Sequence, residues 1–471
     1  MSDSNNRVLI DATMLLRWRY LAPVGIVRLE RLLSSHLRFR SGLGRAEFIV
    51  WSNGYRPAED HEIESLDVLL TAGALEDEQP TRPELSSPGP TSTGRFLPAM
   101  RRTGLKTLGR MPGDVRPFAE QAAWSFATFG FESARYAKRT WRTRSDSTPI
   151  SATSTGHHVR HRVNFDGDTD LVALGLGWEY LDHEAMYRLK VESGVRIHMP
   201  AFDLIPVLMP QMNAGQSHLV HRYYAEMAHY ADSITSISYA TRDALRTFFS
   251  DEMLPEPFLA VNQLPGFPAD DTVKSESNRT RSHRLGDQQF VLSVSTVEVR
   301  KNHLLLAKLW AELLSEGAAL PKLVIVGRIG WDVNELIRWA EYAPELVDGL
   351  VILSDVDDDE LIELYKAAMF TVFPSRVEGW GLPITESLTY GKVCLHSTDP
   401  AQLEASQELM PALHPDDFLG WKAEVLRLCS DAHYLAGLER RIAEEFTPRT
   451  PDQYCADFEK IMSDRRAEVD S

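Results

Sequence analysis

Short apolar runs that give way to helix-spaced segments recur through both halves of this chain, and that alternation leaves few folds open. Val8-Leu9-Ile10 ends at Asp11, Leu29, Leu32, Leu33 and His36 then follow at helical spacing, and Phe48-Ile49-Val50-Trp51 is apolar again. Strand–helix–strand order favours a parallel sheet. The pattern resumes at Asp170, with strands expected at 171–176, 195–199 and 233–237. Pro265-Gly266 and the polar stretch 270–287 read as a linker. A second unit then opens at 290–294 and continues through 323–326, 350–353 and 370–373, with a helix expected over 302–315. Two doubly wound, Rossmann-like α/β domains facing across a cleft account for this order, with ligands at the carboxyl ends of the strands. The expected division is 1–268, with a long insertion at about 73–162, then 286–447, and a terminal helix over 448–471 packing back on the first domain.

The insertion breaks the pattern. Gly73 to Gly94 carries four prolines among Ser, Thr and Glu and reads as a disordered loop, and Ser145 to His161 is a second weak stretch. Between them, Arg95 to Arg144 holds eleven Lys/Arg against Asp114, Glu120 and Glu132, interleaved with large apolar residues such as Phe96, Trp124 and Trp141. Such a segment suits peripheral contact with an anionic membrane, or a helical insertion whose arginines are solvated. The whole chain is acidic, with 50 Lys+Arg against 67 Asp+Glu and a net charge of −17, which argues against a nucleic-acid partner. Three scattered cysteines, Cys394, Cys429 and Cys455, suggest a reducing cytoplasm rather than a disulfide framework. No apolar run is long enough to span a bilayer, and the polar start lacks a secretion signal.

The chemistry concentrates in Phe370 to Glu386. A strand ends at Phe373, a glycine loop carries Glu378, and Pro383 starts a helix bearing Glu386 and stopping at Gly391. Gly379 and Gly381 let backbone approach a ligand, and the helix N-terminus offers free N–H groups to an anion. Carboxylates beside an anion site make sense as hydroxyl acceptors at the two ends of a nucleotide sugar, with its diphosphate between them. Arg300 and Lys301, beyond the first strand of the same domain, supply the opposing charge. Stabilising a departing diphosphate is where a glycosyl transfer most needs help. Asp166-Gly-Asp168 has the form of a metal-binding carboxylate pair but precedes a strand, where Asp-Gly is ordinary turn chemistry. The expectation is a site without cofactor or metal. The acidic run 355–360 reads as a helix start.

These motifs, Ser293-Val-Ser-Thr-Val-Glu-Val-Arg-Lys-Asn302, Val326-Gly-Arg-Ile-Gly-Trp331, Ser354-Asp-Val-Asp-Asp-Asp-Glu-Leu361 and Glu378-Gly-Trp-Gly-Leu-Pro-Ile-Thr-Glu386, resemble the nucleotide-binding half of the family 4 glycosyltransferases. The resemblance implies a GT-B fold, a retaining transfer and a donor bound mainly by the C-terminal domain. It places Glu378 at the transferring sugar, Glu386 at the ribose, and Gly379, Trp380, Gly381 and Leu382 along the sugar–diphosphate path. It makes Lys301 a phosphate ligand, with Arg300 standing in for a family arginine where this chain has Thr296. Gly327, Arg328, Ser354 and Val356 would line the donor, the last two near the base. In the N-terminal half, Pro23-Val-Gly25-Ile-Val-Arg28 matches a glycine loop approaching the diphosphate or the acceptor. Phe202-Asp203-Leu-Ile-Pro206 matches a motif with Phe202 in place of a histidine, leaving Asp203 to act at the acceptor or to cap a turn. Trp178 at a glycine-tipped strand end and His198 complete the acceptor side, although a lone histidine in an apolar strand is more often a packed one. The forms resemble bacterial polysaccharide mannosyltransferases, implying GDP-mannose and a glycan or lipid-linked acceptor. A sugar-nucleotide epimerase and a non-catalytic sugar-nucleotide-binding protein are the alternatives. A dehydrogenase is disfavoured, because no Gly-x-Gly-x-x-Gly follows either opening strand.

Overall fold

The structure, a computed structural model, describes residues 7–18, 25–52, 54–71, 163–175, 177–212, 217–266, 285 and 288–469. The proline-rich stretch, the basic segment from Arg95 to Arg144 and nearly all of the linker over 270–287 lie outside these residues.

The first sheet comprises β1 (Arg7–Asp11), β2 (Arg45–Trp51), β3 (Tyr55–Pro57), β4 (Thr169–Val172), β5 (Arg196–Ala201), β6 (Ser233–Ser236) and β7 (Phe258–Val261). Their spatial order is β3-β2-β1-β4-β5-β6-β7, parallel throughout except for β3 against β2. Helices α1 (Thr13–Trp18), α2 (Gly25–Phe39), α3 (Asp60–Thr71), α4 (His183–Ser193), α5 (Ile205–Leu208), α6 (Ser217–Met227) and α7 (Tyr239–Asp251) belong to this half. The second sheet comprises β8 (Phe290–Val294), β9 (Lys322–Val326), β10 (Leu350–Leu353), β11 (Thr371–Phe373), β12 (Cys394–Ser397) and β13 (Ala412–Leu413), all parallel in the order β10-β9-β8-β11-β12-β13. Its helices are α8 (His303–Ser315), α9 (Asn334–Tyr342), α10 (Leu346–Gly349), α11 (Asp358–Ala367), α12 (Leu382–Thr389), α13 (Pro400–Ala405), α14 (Phe418–Ser430) and α15 (Ala432–Glu445), followed by α16 (Pro451–Val469). The winding direction reverses between β1 and β4 and again between β8 and β11. Crevices for ligands open at such points, at the carboxyl ends of the strands.

The apolar runs are strands because both faces of a parallel sheet are covered: Val8 to Ile10 and Val291 to Leu292 are fully buried. The acidic run does start a helix, since the Asp357 carboxylate accepts the Glu360 amide at 2.8 Å at the head of α11. Strand β4 stops at Val172 rather than 176, because the chain turns at Gly175, whose carbonyl accepts the Gly177 amide at 2.9 Å. Strands β3, β12 and β13 carry no clear apolar run, and β7 is not among the expected strands although Phe258-Leu-Ala-Val261 is apolar. In β12, Cys-Leu-His-Ser is buried, and the Ser397 hydroxyl donates to the Ser375 carbonyl at 2.6 Å. Asp166-Gly-Asp168 is a turn, with the Thr169 hydroxyl donating to the Asp166 carboxylate at 2.6 Å.

Helix α16 packs on the first-sheet half through Asp170, a fully buried carboxylate in β4. It accepts from Arg466 Nε at 2.7 Å, from Arg196 Nε at 3.1 Å and lies 2.8 Å from His198 Nε2. The other ring nitrogen of His198 meets Ser233 Oγ at 2.8 Å. His198 is therefore an interior residue with both nitrogens engaged by protein, and its placement on the acceptor side is corrected. Strand β5 is buried along its whole length, and it is past its carboxyl end, at Phe202 and Asp203, that the chain meets the second half. Burial alone would raise the Asp170 carboxyl, but hydrogen bonds from His198 and Arg196 outweigh it and hold the group well below the ordinary carboxylate range. A depressed folded-state pKa contributes stability that is present above the unfolded value and lost as pH falls through the folded one. Asp170→Asn is expected to cost about 3–5 kcal/mol at pH 7 by chemical denaturation, because it leaves buried cations unpaired. The deficit shrinks in acid below pH 4.

Candidate functional site

The turn leaving β8 is shaped before its side chains act. Val299–Lys301 form one 3-10 turn, and Asn302, at φ 58°, closes it with its side-chain amide donating to the Pro415 carbonyl at 3.0 Å. This places Arg300 and Lys301 beyond the carboxyl end of β8, facing the loop that leaves β11. There Lys301 Nζ lies 2.5 Å from Glu378 Oε1 and Arg300 Nη1 lies 2.9 Å from Glu378 Oε2. The Ser375 hydroxyl donates to Glu378 Oε1 at 2.5 Å. Arg300 also donates to the Val377 carbonyl at 2.7 Å and pairs with Glu298 at 2.9 Å. Lys301 sits 5.2 Å from the centre of the Phe373 ring. All three charged side chains are only 10–16% exposed. Burial would raise the Glu378 carboxyl, but Arg300 and Lys301 outweigh it and hold the pKa down at about 2.

Two glycines make the loop geometry possible. A Cβ on Gly379 would stand 2.1 Å from the Phe202 carbonyl oxygen and 3.0 Å from Asp203 Cβ, so here the loop touches the first-sheet half. Gly381, at φ 126°, occupies the cap position of α12, where an L side chain is strained. Leu382 begins that helix and Pro383 takes its second position, where a missing N–H costs nothing. Trp380 is corrected as a lining residue: its ring is buried at 7% exposure and its indole N–H donates to Thr385 Oγ1 at 3.1 Å. It anchors the loop instead of facing the path.

Glu386 lies on α12, accepts the Tyr365 hydroxyl at 2.8 Å, and is raised by burial. Arg28 from α2 reaches across to Asp358 at the head of α11, at 2.7 Å, and lies within electrostatic reach of Glu386. Gly25 opens the same helix. Asp203 accepts the Ile205 amide at 3.0 Å, capping α5 as one reading allowed, while its burial-raised carboxyl also feels Arg300, Glu378 and Lys301. Gly327, where a Cβ would stand 1.8 Å from the Ser295 carbonyl, lets the loops after β8 and β9 touch, and Arg328 beside it is exposed. Ser354 and Val356 lie on the loop between β10 and α11. Trp178 stands on a 3-10 turn in the first-sheet half, edge-on to Tyr223 at 5.6 Å. The residues brought into one electrostatic cluster are thus Arg300, Lys301, Glu378 and Asp203, with Arg28 and Glu386 forming a second group.

Sequence reading missed three contributors. Ser375 and Glu298 hold the cluster and are ordinary loop residues with no distinguishing pattern. Asp399 is half-buried within electrostatic reach of Glu378, and burial together with the Glu378 charge pushes its pKa up to about 7. Its Asp-Pro dipeptide was legible as a helix start. In the first-sheet half, the buried Asp11 carboxylate accepts hydroxyls from Tyr55 at 2.9 Å and Tyr180 at 2.8 Å, ending β1 in a polar hub.

Over residues 274–408 the sequence matches the family model described as Glycosyl transferases group 1, a span that contains Arg300, Lys301, Glu378 and Glu386. The serotype-specific mannosyltransferase WbdA of Escherichia coli is 27% identical over 195 residues, 39% of this chain and 24% of that protein. The O-antigen chain mannosyltransferase B of Escherichia coli is 30% identical over 154 residues, 32% of this chain and 39% of that protein. The chain therefore spans well under half the length of these curated relatives. Among solved structures, Anabaena Alr3699/HepE in complex with UDP-glucose superposes with a TM-score of 0.57 at 13% identity, covering 98% of this chain and 100% of that one. A trehalose-6-phosphate synthase studied for glycosyl transfer with retention gives 0.50 at 13% identity over 65% of this chain and 74% of that one. At these identities the likeness is one of architecture, and the architecture is the GT-B fold.

Proposed function

We propose that this protein is a glycosyltransferase that moves a sugar, with retention, from a nucleotide-diphosphate donor to a glycan or glycolipid acceptor in cell-surface polysaccharide synthesis, with GDP-mannose as donor. The observation that carries this reading is the Glu378 carboxylate held by Lys301 at 2.5 Å and Arg300 at 2.9 Å at the β8/β11 switch point. The mannosyltransferase relatives favour transfer over epimerisation and motivate the choice of mannose.

In this reading the diphosphate and Glu378 compete for the same two cations. A donor entering the crevice takes Arg300 and Lys301 onto its phosphate oxygens, where fixed positive charge stabilises the leaving group as the glycosidic bond to phosphate breaks. Glu378, released, accepts hydroxyl hydrogens of the transferring sugar. Glu386, already oriented by the Tyr365 hydroxyl, accepts from the ribose at its other oxygen. The first-turn amides of α12 face the phosphates. The first-sheet half presents the acceptor hydroxyl on the face of the sugar that the phosphate leaves. The departing phosphate oxygen takes the hydroxyl proton as the new glycosidic bond forms, and holding both substrates together accounts for much of the acceleration. Charge on the leaving group comes from side chains, so the reaction proceeds without a metal ion. Peripheral contact of Arg95 to Arg144 with an anionic membrane, on its cytoplasmic side, belongs to the same reading. Among the described residues no helix is long and apolar enough to cross a membrane.

A thermal-shift screen against GDP, UDP, dTDP and ADP tests the reading, because a ligand that binds only the native state raises its melting point. GDP is expected to give the largest shift, and no shift with any of the four overturns the site. Glu378→Ala and Lys301→Ala are each expected to cut turnover at least about tenfold with the fold retained. Competition for the cations adds a sharper expectation, read by calorimetry: Glu378→Gln binds bare nucleoside diphosphate more tightly than wild type while transferring sugar more slowly.

A further inference from the structure

Three adjacent strands of the second sheet end at this site. Strand β8 delivers Arg300 and Lys301, β11 delivers Glu378, and β12 delivers a residue with no part in the reading above, Asp399. Asp399 caps α13: its carboxylate accepts the Gln402 amide at 3.2 Å, and Pro400 takes the first helical position. The cap orients Gln402, whose side chain is pinned on both ends. Its Oε1 accepts the Ser397 amide at 3.2 Å and its Nε2 donates to the Ser375 carbonyl at 2.8 Å. Ser375 in turn donates its hydroxyl to Glu378 at 2.5 Å. A continuous hydrogen-bonded path therefore runs from Asp399 to the carboxylate that holds both cations. The Asp399 carboxyl also lies within electrostatic reach of Glu378.

We propose that Asp399 is a positioning residue of this site: it fixes the Glu378 loop through α13, and its charge sets how readily Arg300 and Lys301 pass from Glu378 to a diphosphate. This rests on the donor reading above. The charged groups of the surrounding elements are few. The loop after β11 carries Glu378, and also Arg376 in its ion pair with Asp416 at 2.6 Å. The turn after β8 carries Arg300, Lys301 and Glu298, the last paired with Arg300 at 2.9 Å, and α12 carries Glu386. Beneath lies His396 of β12, whose pKa burial pulls down to about 4. Helix α13 itself bears Glu404, which is occupied with the Tyr239 and Ala240 amides of α7 at 2.9 and 2.7 Å. Helix α7 adds Arg242 and Asp243, paired with each other at 2.7 Å, and Asp203 faces the cluster from the first-sheet half. Of these, Glu378 acts on the Asp399 carboxyl directly, and together with burial it pushes the group up to about 7.

The sign follows. Protonated, Asp399 leaves Glu378 and Glu298 opposing the two cations. Ionised, it adds a further negative charge that opposes an incoming diphosphate. A raised carboxyl pKa also means that the folded state loses stability as pH climbs from the unfolded value towards 7. Asp399→Asn and Asp399→Ser both keep a side-chain cap and cannot ionise. Without ligand, the wild-type melting midpoint is expected to fall more steeply between pH 5 and 8 than that of either variant. With GDP-mannose, UDP-glucose, dTDP-glucose and ADP-glucose as probes, whose diphosphate diesters do not titrate in this range, wild-type affinity is expected to fall by about threefold or more from pH 6 to 8.5. Both variants should hold a flat profile at or above the wild-type value at pH 8.5. Equal pH slopes in all three proteins overturn the proposal, as does a loss of affinity in the variants that is the same at every pH, which would leave Asp399 a helix cap alone. If none of the four probes binds any form, the donor reading falls and the proposal with it, and the ligand-free slopes then still report Asp399 separately.

Discussion

One carboxylate shared by two cations holds this site in shape. Glu378, Arg300 and Lys301 are largely withdrawn from water, and three charges so placed persist only because each meets an opposite charge at hydrogen-bond distance. Removing Glu378 would leave Lys301 buried without its carboxylate, whereas removing either cation leaves the other still paired with Glu378. Much of the local backbone serves that arrangement: the left-handed Asn302, the cap at Gly381 and the inward-turned Trp380 all fix loops that carry no regular structure of their own. Rigidity here comes from polar contacts between strand ends, while the sheet behind them is held by apolar burial. The same pair of cations that satisfies Glu378 in the free protein is what a diphosphate would need, so stability and binding draw on one interaction.

The two halves meet through small, specific contacts beside that cluster. Gly379 lies against the Phe202 carbonyl, and the Thr241 hydroxyl reaches the Gly379 carbonyl at 3.4 Å. Glu404 satisfies the first amides of α7, which would otherwise lack partners at a helix start. Arg28 bridges to Asp358, and the chain returns through α16 to Asp170 in the first sheet. These contacts tie the first-sheet half to the very loops that present Glu378 and Glu386. A ligand that changes the charge at the cluster therefore also acts on the joint between the halves.

Legibility in the sequence followed burial and periodicity. Strands with uninterrupted apolar runs, such as Val8 to Ile10 and Phe290 to Leu292, were visible because a parallel sheet covered on both faces admits little else. Strand β12 was not, since His396 and Ser397 are polar residues whose burial depends on contacts such as that of the Ser397 hydroxyl with the Ser375 carbonyl. Glu378 stood out as a carboxylate beside glycines, and Arg300 and Lys301 as a pair of cations, at strand ends where charged residues have few structural uses. His198 and Trp380 were misplaced for a common reason. Both are residue types that serve ligands or interiors equally well, and only the Asp170–Ser233 pair around one and Thr385 beside the other decide the matter.

By itself, then, the order of residues determined the two sheets, their parallel sense, the loops at their carboxyl ends and the charged residues those loops carry. These depend on local spacing and on the apolar content of single segments. What only the tertiary structure decided was which side chains share a space: Asp170 as the anchor of α16, Asp399 and Ser375 as supports of Glu378, Asp203 and Arg28 as the contribution of the opposite half. Electrostatic effects of this kind depend on distances of a few ångströms between groups tens or hundreds of residues apart, and no pattern along one chain encodes such a distance.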